Sequence, residues 1–251
     1  MFERVYTVLP SDVGTAGLMK PRNLLNCLQD TADMAVTALK ADVQSVLESG
    51  YAWILVHVKM SAERWPGLGE KIAVRTWHNV NEGLYTLRAF DLRSGDGREL
   101  MSGYTSWLLL DLVRSRPVKP KKNLPQIFVI EGEEYPSISG EFTELPREIS
   151  EGENGRKKSF EVRLHDLDAN DHVNNAVYIE WAVESVPREV TANCRLSGWE
   201  VNYRKGAYLG DEVIVNTRED TVYEGNYPVK IFTGTMNTGE TFLCTVRTYW
   251  R

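Results

Sequence analysis

The chain has 251 residues, of which 42% are hydrophobic and 25% charged, a composition typical of one large globular domain or two of ordinary size. Its net charge of -6 argues against nonspecific nucleic-acid binding, which depends on a basic surface. Three widely spaced cysteines argue against a disulfide framework or a cysteine metal site, and no apolar run is long enough to span a bilayer. The first residues resemble neither a signal nor a transit peptide, so we expect a cytoplasmic protein.

The first half predicts a strand, a helix and then several long strands. The strand is "ERVYTV" (3–8), and the helix runs from about Pro21 to Lys40. Turns such as "SGDG" (94–97) join the strands that follow. The apolar stripe of the helix consists of Leu24, Leu28, Ala32, Ala35 and Leu39.

The middle of the chain, residues 114–158, contains five prolines and dense charge without sustained periodicity. It predicts a linker between an N-terminal domain, 1–113, and a C-terminal domain, 159–251. Its first ten residues hold five basic side chains and no acid, which fits either a solvated linker or a docking surface for an acidic partner. These five are Arg114, Arg116, Lys119, Lys121 and Lys122.

The second half repeats the pattern of the first. A strand, "SFEVRL" (159–164), precedes a helix from about Asn175 to Val186, and "NTGE" (237–240) marks a strand turn. Glycine and aromatic positions recur with a spacing of 141 to 142 residues over some 40 residues, which indicates an internal duplication. The second helix is apolar on nearly every side, so it must be buried nearly all round. We therefore predict an α+β fold in which each half curls an antiparallel sheet around a central helix.

One segment, "DLDANDHVNNAVYIEW" (166–181), combines dense polar chemistry with the start of the buried helix. Asp168, Asn170 and His172 are spaced by two, so their side chains point the same way wherever the chain is extended. Asn174 or Asn175 is a candidate N-cap, which places the cluster beside the unpaired N–H groups of a helix start.

These residue types suit the hydrolysis of an activated acyl group. His172 can take a proton from water, Asp168 can hold the imidazole, and Asn170 can donate to a developing oxyanion. A thioester suits such a site because its thiol leaves readily, and the chemistry requires no metal or cofactor. The structural alternative is that Asn- and Asp-rich loops before helices serve as caps and Asx turns.

The sequence resembles the acyl-acyl carrier protein thioesterases of plants and bacteria. The resemblance rests on "DLDANDHVNNAVYIEWAVESVP", "LLNCLQDTADMAV", "WILVHVKMSAERWPGLGEKIAVRTW" and "NYRKGAYLGDEV", and it covers nearly the whole chain. It implies a tandem, or double, hotdog fold and hydrolysis of fatty acyl-acyl carrier protein to free fatty acid. It also implies that Asp168, Asn170 and His172 are the catalytic residues, and that acyl carrier protein is the partner.

One departure from the family pattern concerns the acid. The family usually has Glu-Cys after a Tyr-Arg-Arg run, whereas this chain reads Tyr203, Arg204, Lys205, Gly206, Ala207. Glu200 is six residues from Gly206, about 20 Å along a strand, and cannot simply substitute. Either Glu180 or Glu184 reaches the water, the three motif residues work without an acid, or the activity is weak or altered.

The first half lacks a matching motif, since its loop reads "LPSDVGTAGLMKPRN" (9–23) without histidine. We therefore expect one catalytic site per chain and an N-terminal half that holds the acyl chain. Its predicted lining is Leu24, Leu28 and Ala32, with Asn174 and Asn175 beside the reacting group. Alternatives are an acyl-CoA thioesterase or a noncatalytic acyl- or carrier-binding protein. A homodimer stays open, because the duplication supplies the pairing that single hotdog units obtain by dimerising.

Overall fold

The computed structural model of the protein describes residues 1–79, 83–125, 142–149, 155–224 and 227–251. The chain divides into two compact units, Met1–Phe142 (unit 1) and Thr143–Arg251 (unit 2). The predicted domains 1–113 and 159–251 fall one in each unit. The described parts of the predicted linker, 114–158, are not all irregular, since they contain a short strand, a short helix and the start of another strand.

Unit 1 is an antiparallel sheet with few helices. Its strands are β1 (Phe2–Thr7), β2 (Tyr51–Ala62), β3 (Lys71–Asn79), β4 (Tyr85–Ser94), β5 (Glu99–Asp111) and β6 (Arg116–Val118). Its helices are α1 (Pro21–Thr37), α2 (Val43–Glu48) and α3 (Pro120–Asn123). The strands pair in the order β1-β3-β4-β5-β2, and β6 pairs with the end of β5.

Unit 2 is likewise an antiparallel sheet with few helices. Its strands are β7 (Gly155–Glu161), β8 (Leu196–Tyr203), β9 (Glu212–Glu224), β10 (Tyr227–Thr238) and β11 (Thr241–Trp250). Its helices are α4 (Asn175–Glu184) and α5 (Arg188–Asn193). The strands pair in the order β7-β9-β10-β11-β8, again antiparallel throughout.

The two units repeat one strand order, as the internal duplication predicts. The order β1-β3-β4-β5-β2 becomes β7-β9-β10-β11-β8 when each strand is replaced by its counterpart. Turn glycines recur with the same backbone: Gly69 and Gly210 have φ of 79° and 82°, and Gly97 and Gly239 have φ of 85° and 54°. These φ values lie in the left-handed region that glycine adopts without steric cost.

Helix α1 begins at Pro21 as predicted, because proline suits the first helical position. It ends at Thr37 instead of Lys40, and Lys40 adopts a φ of 50°. Leu39 therefore lies beyond the helix. The apolar stripe of α1 faces the sheet, where the helix contacts β1 and β3.

Helix α4 is buried on nearly all sides, as its apolar sequence predicts. It packs against β11, and Trp181 stacks on Phe160 of β7 at 5.7 Å between ring centroids. It ends at Glu184, two residues before the predicted Val186, and Pro187 caps the short α5, which the sequence analysis missed.

Strand β7 starts at Gly155, four residues before the predicted "SFEVRL". It pairs only with β9 among the described strands and is exposed along most of its length, so its early residues lack the apolar alternation of a buried strand. The short β6 and α3 carry no strong periodicity either, which explains why that segment reads as linker.

Candidate active site

The polar motif ahead of α4 folds as a tight turn. An antiparallel bridge between Leu167 and Val173 closes it. Inside the bridge, the Asp168 N–H donates to the His172 carbonyl at 2.8 Å, and the Asp171 N–H donates to the Asp168 carbonyl at 3.2 Å. Asp171 has a φ of 58°, in the left-handed region that asparagine and aspartate tolerate better than most side chains.

The chain from Asp168 to His172 is therefore not extended, so the strand alternation on which the expected same-side arrangement rests does not apply here. Asp168 and His172 are half-buried, whereas Asn170 is exposed. The Asp168 Oδ1 accepts from the N–H groups of Asn170 at 2.8 Å and His172 at 3.4 Å. Among the described residues the hydrogen bonds of this carboxylate go to the backbone of the turn, and none goes to the imidazole ring.

The His172 ring lies between an aromatic side chain and a glycine. It packs on Tyr208 with 4.9 Å between ring centroids, at a tilt of 46°. A Cβ added to Gly206 would lie 2.9 Å from the His172 Cδ2, closer than real Cβ contacts. The imidazole thus occupies space that is open only because residue 206 has no side chain.

A buried tyrosine fixes the segment that carries Gly206. The Tyr178 hydroxyl, on α4, accepts from the Ala207 N–H at 2.9 Å, and the Ala207 carbonyl accepts from the Val173 N–H at 3.0 Å. Burial raises the pKa of Tyr178, so its hydroxyl keeps its proton. These bonds hold α4, the turn and residue 206 in one arrangement.

The helix start is capped as predicted, and the cap is Asn174. Its Oδ1 accepts from the Ala176 N–H at 2.8 Å, and its own N–H donates to the Asp166 carbonyl at 2.8 Å. The Asn175 carbonyl accepts from the Tyr203 hydroxyl at 2.8 Å. The side-chain oxygen of Asn174 is therefore engaged in the cap, and contact of either asparagine with substrate stays a prediction.

Two acids on α4 were candidates to replace the family glutamate. Glu184 lies in the last turn, about 13 Å along the axis from the helix start, and pairs with Lys158 Nζ at 3.4 Å. That position is remote from the turn at the helix start, so Glu184 does not serve His172. Glu180 is half-buried, and its charge acts on Arg163, whose pKa is raised mainly by its hydrogen bond to Asp166.

Glu200 is a buried carboxylate on the face of the sheet opposite α4. It accepts from the Tyr249 hydroxyl at 2.7 Å. It lies three residues from Tyr203 in the same strand, and the Tyr203 side chain reaches the start of α4. Side chains alternate along a strand, so Glu200 points to the face opposite α4, which agrees with the expectation that it cannot simply substitute.

Unit 1 contains the same turn without the same chemistry. The Gly17 N–H donates to the Gly14 carbonyl at 2.9 Å, and the Gly14 N–H donates to the Leu18 carbonyl at 2.9 Å. An antiparallel bridge between Val13 and Met19 closes the turn, and Gly17 has a φ of 70°.

The two turns have the same hydrogen bonds at corresponding residues. Gly14 takes the place of Asp168, and Leu18 takes the place of His172. Ala16, at the corresponding position, takes the place of Asn170. The turn therefore forms without an acid, an amide or an imidazole, so its geometry does not by itself require the polar residues of unit 2.

The predicted acyl-binding residues of α1 lie in the interior of unit 1. Leu24, Leu28 and Ala32 are buried, with 0%, 1% and 7% of their surface exposed. They face the sheet, as a lining of an apolar slot requires and as an ordinary core also requires. Their contact with an acyl chain stays a prediction.

The basic residues predicted to dock a partner are all exposed. Arg114 forms an ion pair with Asp111 at 3.1 Å, at the end of β5. The others follow in β6, before α3 and within it: Arg116, Lys119, Lys121 and Lys122. The segment thus presents several cations to solvent.

Sequence reasoning missed the roles of three residues at the site. Tyr208 and Gly206 flank the ring, and Tyr178 was counted only as an apolar helix residue. The available signal was the pair of positions after Tyr203, where the family carries Glu-Cys. That signal marked the place but not the close approach of the ring.

Neither a metal centre nor a membrane helix emerges from the described parts of the chain. Across those residues, no group of three or more His, Cys, Asp or Glu side chains is arranged to hold a metal ion. Nor is any helix there both long enough and apolar enough to cross a bilayer.

Family sequence profiles match both parts of the chain. The acyl-ACP (acyl carrier protein) thioesterase N-terminal domain matches residues 1–128, and the acyl-ACP thioesterase C-terminal domain matches residues 149–251. The chain therefore belongs to the acyl-ACP thioesterase family.

Curated relatives carry the same family name. Acyl-[acyl-carrier-protein] hydrolase of Cuphea viscosissima is 24% identical over an alignment of 217 residues, which covers 82% of this chain and 52% of the relative. Dodecanoyl-[acyl-carrier-protein] hydrolase of Cinnamomum camphora is 22% identical over an alignment of 218 residues, which covers 82% of this chain and 56% of the relative. The chain spans about half the length of these relatives.

Solved structures share the fold. A putative oleoyl thioesterase from Lactobacillus plantarum has a TM-score of 0.86 at 19% identity and covers 100% of this chain and 95% of its own. The 12:0-ACP thioesterase from Umbellularia californica has a TM-score of 0.85 at 18% identity, covering 100% and 93%. At such identities the likeness establishes the fold alone.

Proposed function

We propose that this protein hydrolyses fatty acyl-acyl carrier protein thioesters to free fatty acid and carrier protein, with water activated by His172. One observation carries the assignment to this residue. The chain builds the same turn twice, and only the copy in unit 2 presents an imidazole, beside an aspartate and an asparagine. Membership of the acyl-ACP thioesterase family supports the reaction class.

The ring of His172 is available for proton transfer. Among the described residues neither ring nitrogen has a hydrogen-bond partner, and the side chain is half-buried beside the exposed Tyr208. An imidazole exchanges protons near neutral pH, so it can accept one from a water molecule as the water oxygen attacks the thioester carbonyl carbon.

The same ring completes the reaction. When the carbon–sulfur bond breaks, the imidazolium of His172 returns its proton to the departing thiolate, or the thiolate leaves unassisted because thiols have a pKa of only about 8.5. The products are a carboxylic acid and the free thiol of the carrier. No electron acceptor and no further reactant is needed.

The other two motif residues have distinct parts in this proposal. Asp168 fixes the turn through the Asn170 and His172 N–H groups, so it positions the imidazole through the backbone. Asn170 is exposed at the tip, where its amide can donate to the thioester carbonyl or to the arm that carries it. The positive end of the α4 dipole adds to the stabilisation of an oxyanion.

We also propose that the two units are two hotdog folds in tandem, each an antiparallel sheet around its helix. Unit 1, without a catalytic turn, holds the acyl chain against Leu24, Leu28 and Ala32 of α1. The exposed basic residues from Arg114 to Lys122 dock the acidic carrier protein.

Acyl binding without turnover is the second candidate. It is favoured by Gly206, which stands where the family usually carries glutamate, so the chain has no acid at that position to assist the water. In this case His172 and Asn170 would contact the thioester without activating water.

A substrate panel tests the proposal. Purified protein is assayed with acyl groups of several lengths, each linked to acyl carrier protein and to coenzyme A, and a preparation from cells lacking the expression plasmid provides the blank. We expect turnover of carrier-linked substrates with a higher kcat/KM than for the matched coenzyme A thioesters. Tight binding of acyl carrier protein substrates without release of free thiol would contradict the proposal and select the second candidate.

A further inference from the structure

A charged side chain lies inside unit 1, on the face of the sheet that α1 covers. Arg88, on β4, has 8% of its surface exposed. The strand register shows which face Arg88 is on. The Tyr6 hydroxyl bonds to Thr31 of α1 at 2.8 Å, so the Tyr6 side chain is on the α1 face, and Tyr6 pairs with Ile72. Ile72 and His78 share one face of β3, and His78 pairs with Arg88.

The guanidinium of Arg88 has far fewer partners than donors. It carries five N–H groups, and within the described residues its one hydrogen bond is from Nη1 to the Thr76 hydroxyl at 3.3 Å. No carboxylate of those residues lies within ion-pair distance. Burial lowers the pKa of Arg88 to about 10, against the charge of Asp33, so the group is still a cation at neutral pH.

The surroundings of Arg88 are polar as well as buried. Thr86 lies on β4 two residues before Arg88, and Thr105 is the partner of Arg88 on β5. These two threonines have 4% and 3% of their surface exposed. Thr86 hydrogen-bonds to the His78 imidazole, and Thr105 accepts from the Trp107 indole N–H at 2.8 Å. Burial lowers the pKa of His78 to about 4, so this ring is neutral and does not add a second cation.

A buried cation with no counter-ion among the described residues is costly, because its unsatisfied donors have lost water without gaining acceptors. A hydrocarbon chain end would leave the N–H groups unsatisfied, whereas a carboxylate can accept two of them side by side.

We propose that Arg88, with Thr76, Thr86 and Thr105 around it, forms a polar subsite that receives a carboxylate, or less strongly a hydroxyl, at the distal end of the acyl group. This inference rests on the proposed function, in which unit 1 holds the acyl chain. It assigns the protein a substrate class, acyl thioesters with an oxygen-bearing terminus, in place of plain saturated chains.

The first test compares three acyl-acyl carrier protein substrates of equal length that end in a methyl, a hydroxyl or a carboxylate group. For the natural protein we expect kcat/KM to be at least tenfold higher with the carboxylate than with the methyl, and the hydroxyl to be intermediate. In Arg88→Met the order should reverse. Arg93→Met is the matched control on the same strand, where the arginine side chain is 34% exposed and forms an ion pair with Asp91 at 2.7 Å, and it should leave the order unchanged. A preference for methyl in the natural protein, or an unchanged ratio in Arg88→Met, would overturn the inference.

The second test does not depend on turnover. Calorimetric titration measures the dissociation constants of a free dicarboxylic acid and of the monocarboxylic acid of equal length. We expect the dicarboxylic acid to bind at least tenfold more tightly, an advantage lost in Arg88→Met and partly kept in Arg88→Lys, which also serves if the methionine variant does not fold. If no thioester is hydrolysed but this advantage is found, the proposed function fails and the subsite stands. If thioesters are hydrolysed and both acids bind alike, the subsite fails alone.

Discussion

At the scale of single residues, the candidate site depends on a contact between an imidazole and a backbone without a side chain. Gly206 is not in the left-handed region, so its backbone conformation is open to other residues. A side chain at position 206 is excluded instead by the His172 Cδ2, which occupies the space that a Cβ would take. A glutamate at position 206 would therefore clash with the His172 ring in the position that the ring occupies here.

Gly206→Ala tests this contact. The added methyl, 2.9 Å from Cδ2, must displace the imidazole, and we expect kcat/KM to fall by about 10- to 100-fold with little change in melting temperature. The matched control is Gly14→Ala in the repeated turn, where a Cβ meets no atom within 4 Å. Full activity in Gly206→Ala would mean that the ring does not act from the position described.

His78 predicts a pH dependence of stability. Its pKa is lowered to about 4 mainly by burial and also by Arg88, against 6.5 for an exposed imidazole. Between these values the unfolded chain binds the proton and the folded chain does not, so stability is full above pH 6.5 and falls as pH drops toward 4. The loss is of order 3 kcal/mol.

The measurement is urea unfolding at pH 7.0 and 4.5 of the natural protein and of His78→Gln. The variant should lose markedly less stability on acidification, because it has no imidazole to protonate there. His165→Gln, which changes an exposed histidine, should behave like the natural protein. Equal pH dependence in all three would contradict the burial of a neutral His78.

Single residues were predictable from sequence where chemistry is explicit and not where packing decides. His172 was singled out from residue types and motif, whereas the tight turn that carries it was not predicted. Arg88 stands in an ordinary strand sequence, "LYTLRAFDL" (84–92), and only the register with His78 shows that it faces the helix. The alternation assumed for Asp168, Asn170 and His172 does not apply, because Asp171 adopts a left-handed conformation that a spacing of two does not anticipate.

At the scale of elements, the same backbone turn occurs in both units with different side chains. Its left-handed position is Gly17 in unit 1 and Asp171 in unit 2. Glycine adopts such a φ freely, whereas other residues pay a steric cost of about 1 to 2 kcal/mol, less for aspartate.

Opposite substitutions in the two turns should therefore have opposite effects. Gly17→Ala is expected to lower the free energy of unfolding by about 1 kcal/mol, and Asp171→Gly to leave it unchanged or raise it slightly. Urea unfolding measures both variants. A loss of stability in Asp171→Gly as large as that in Gly17→Ala would show that the two turns are not equivalent.

The elements themselves followed from periodicity wherever burial imposes one. Helix α1 starts at Pro21 and α4 starts after the Asn174 cap, both as predicted, because proline and a capping asparagine act locally. Helix ends were displaced, since they depend on backbone turns such as the one at Lys40. The early part of β7 was missed because an exposed strand lacks alternation.

At the scale of the molecule, each unit has a different proposed role: catalysis in unit 2 and acyl-chain binding in unit 1. Both have the same strand order, and the polar turn belongs to unit 2 while the buried Arg88 cluster belongs to unit 1. The repeat was visible in the sequence through glycine and aromatic spacing. Residues 126–141 and 150–154 of the predicted linker lie outside the described residues.

The exposed basic residues predict a partner-dependent effect. Reversing the charge at Lys119, Lys121 and Lys122 together should raise KM for acyl-acyl carrier protein severalfold, because these cations attract an acidic carrier. The matched coenzyme A thioester should keep its KM, and higher salt should narrow the difference. Steady-state kinetics on the two substrates measure this, and equal changes in both would place docking elsewhere.

The most direct test of the account replaces His172 with leucine, the residue that stands at the same position of the turn in unit 1. Because Leu18 is compatible with that turn, the variant should fold, with a melting temperature close to that of the natural protein. The measurement is kcat/KM on acyl-acyl carrier protein for His172→Leu and for His165→Leu, a matched change at an exposed histidine. We predict a loss of at least about 100-fold in the first and none in the second. Hydrolysis within twofold of the natural rate in a folded His172→Leu variant would contradict the assignment of the catalytic turn.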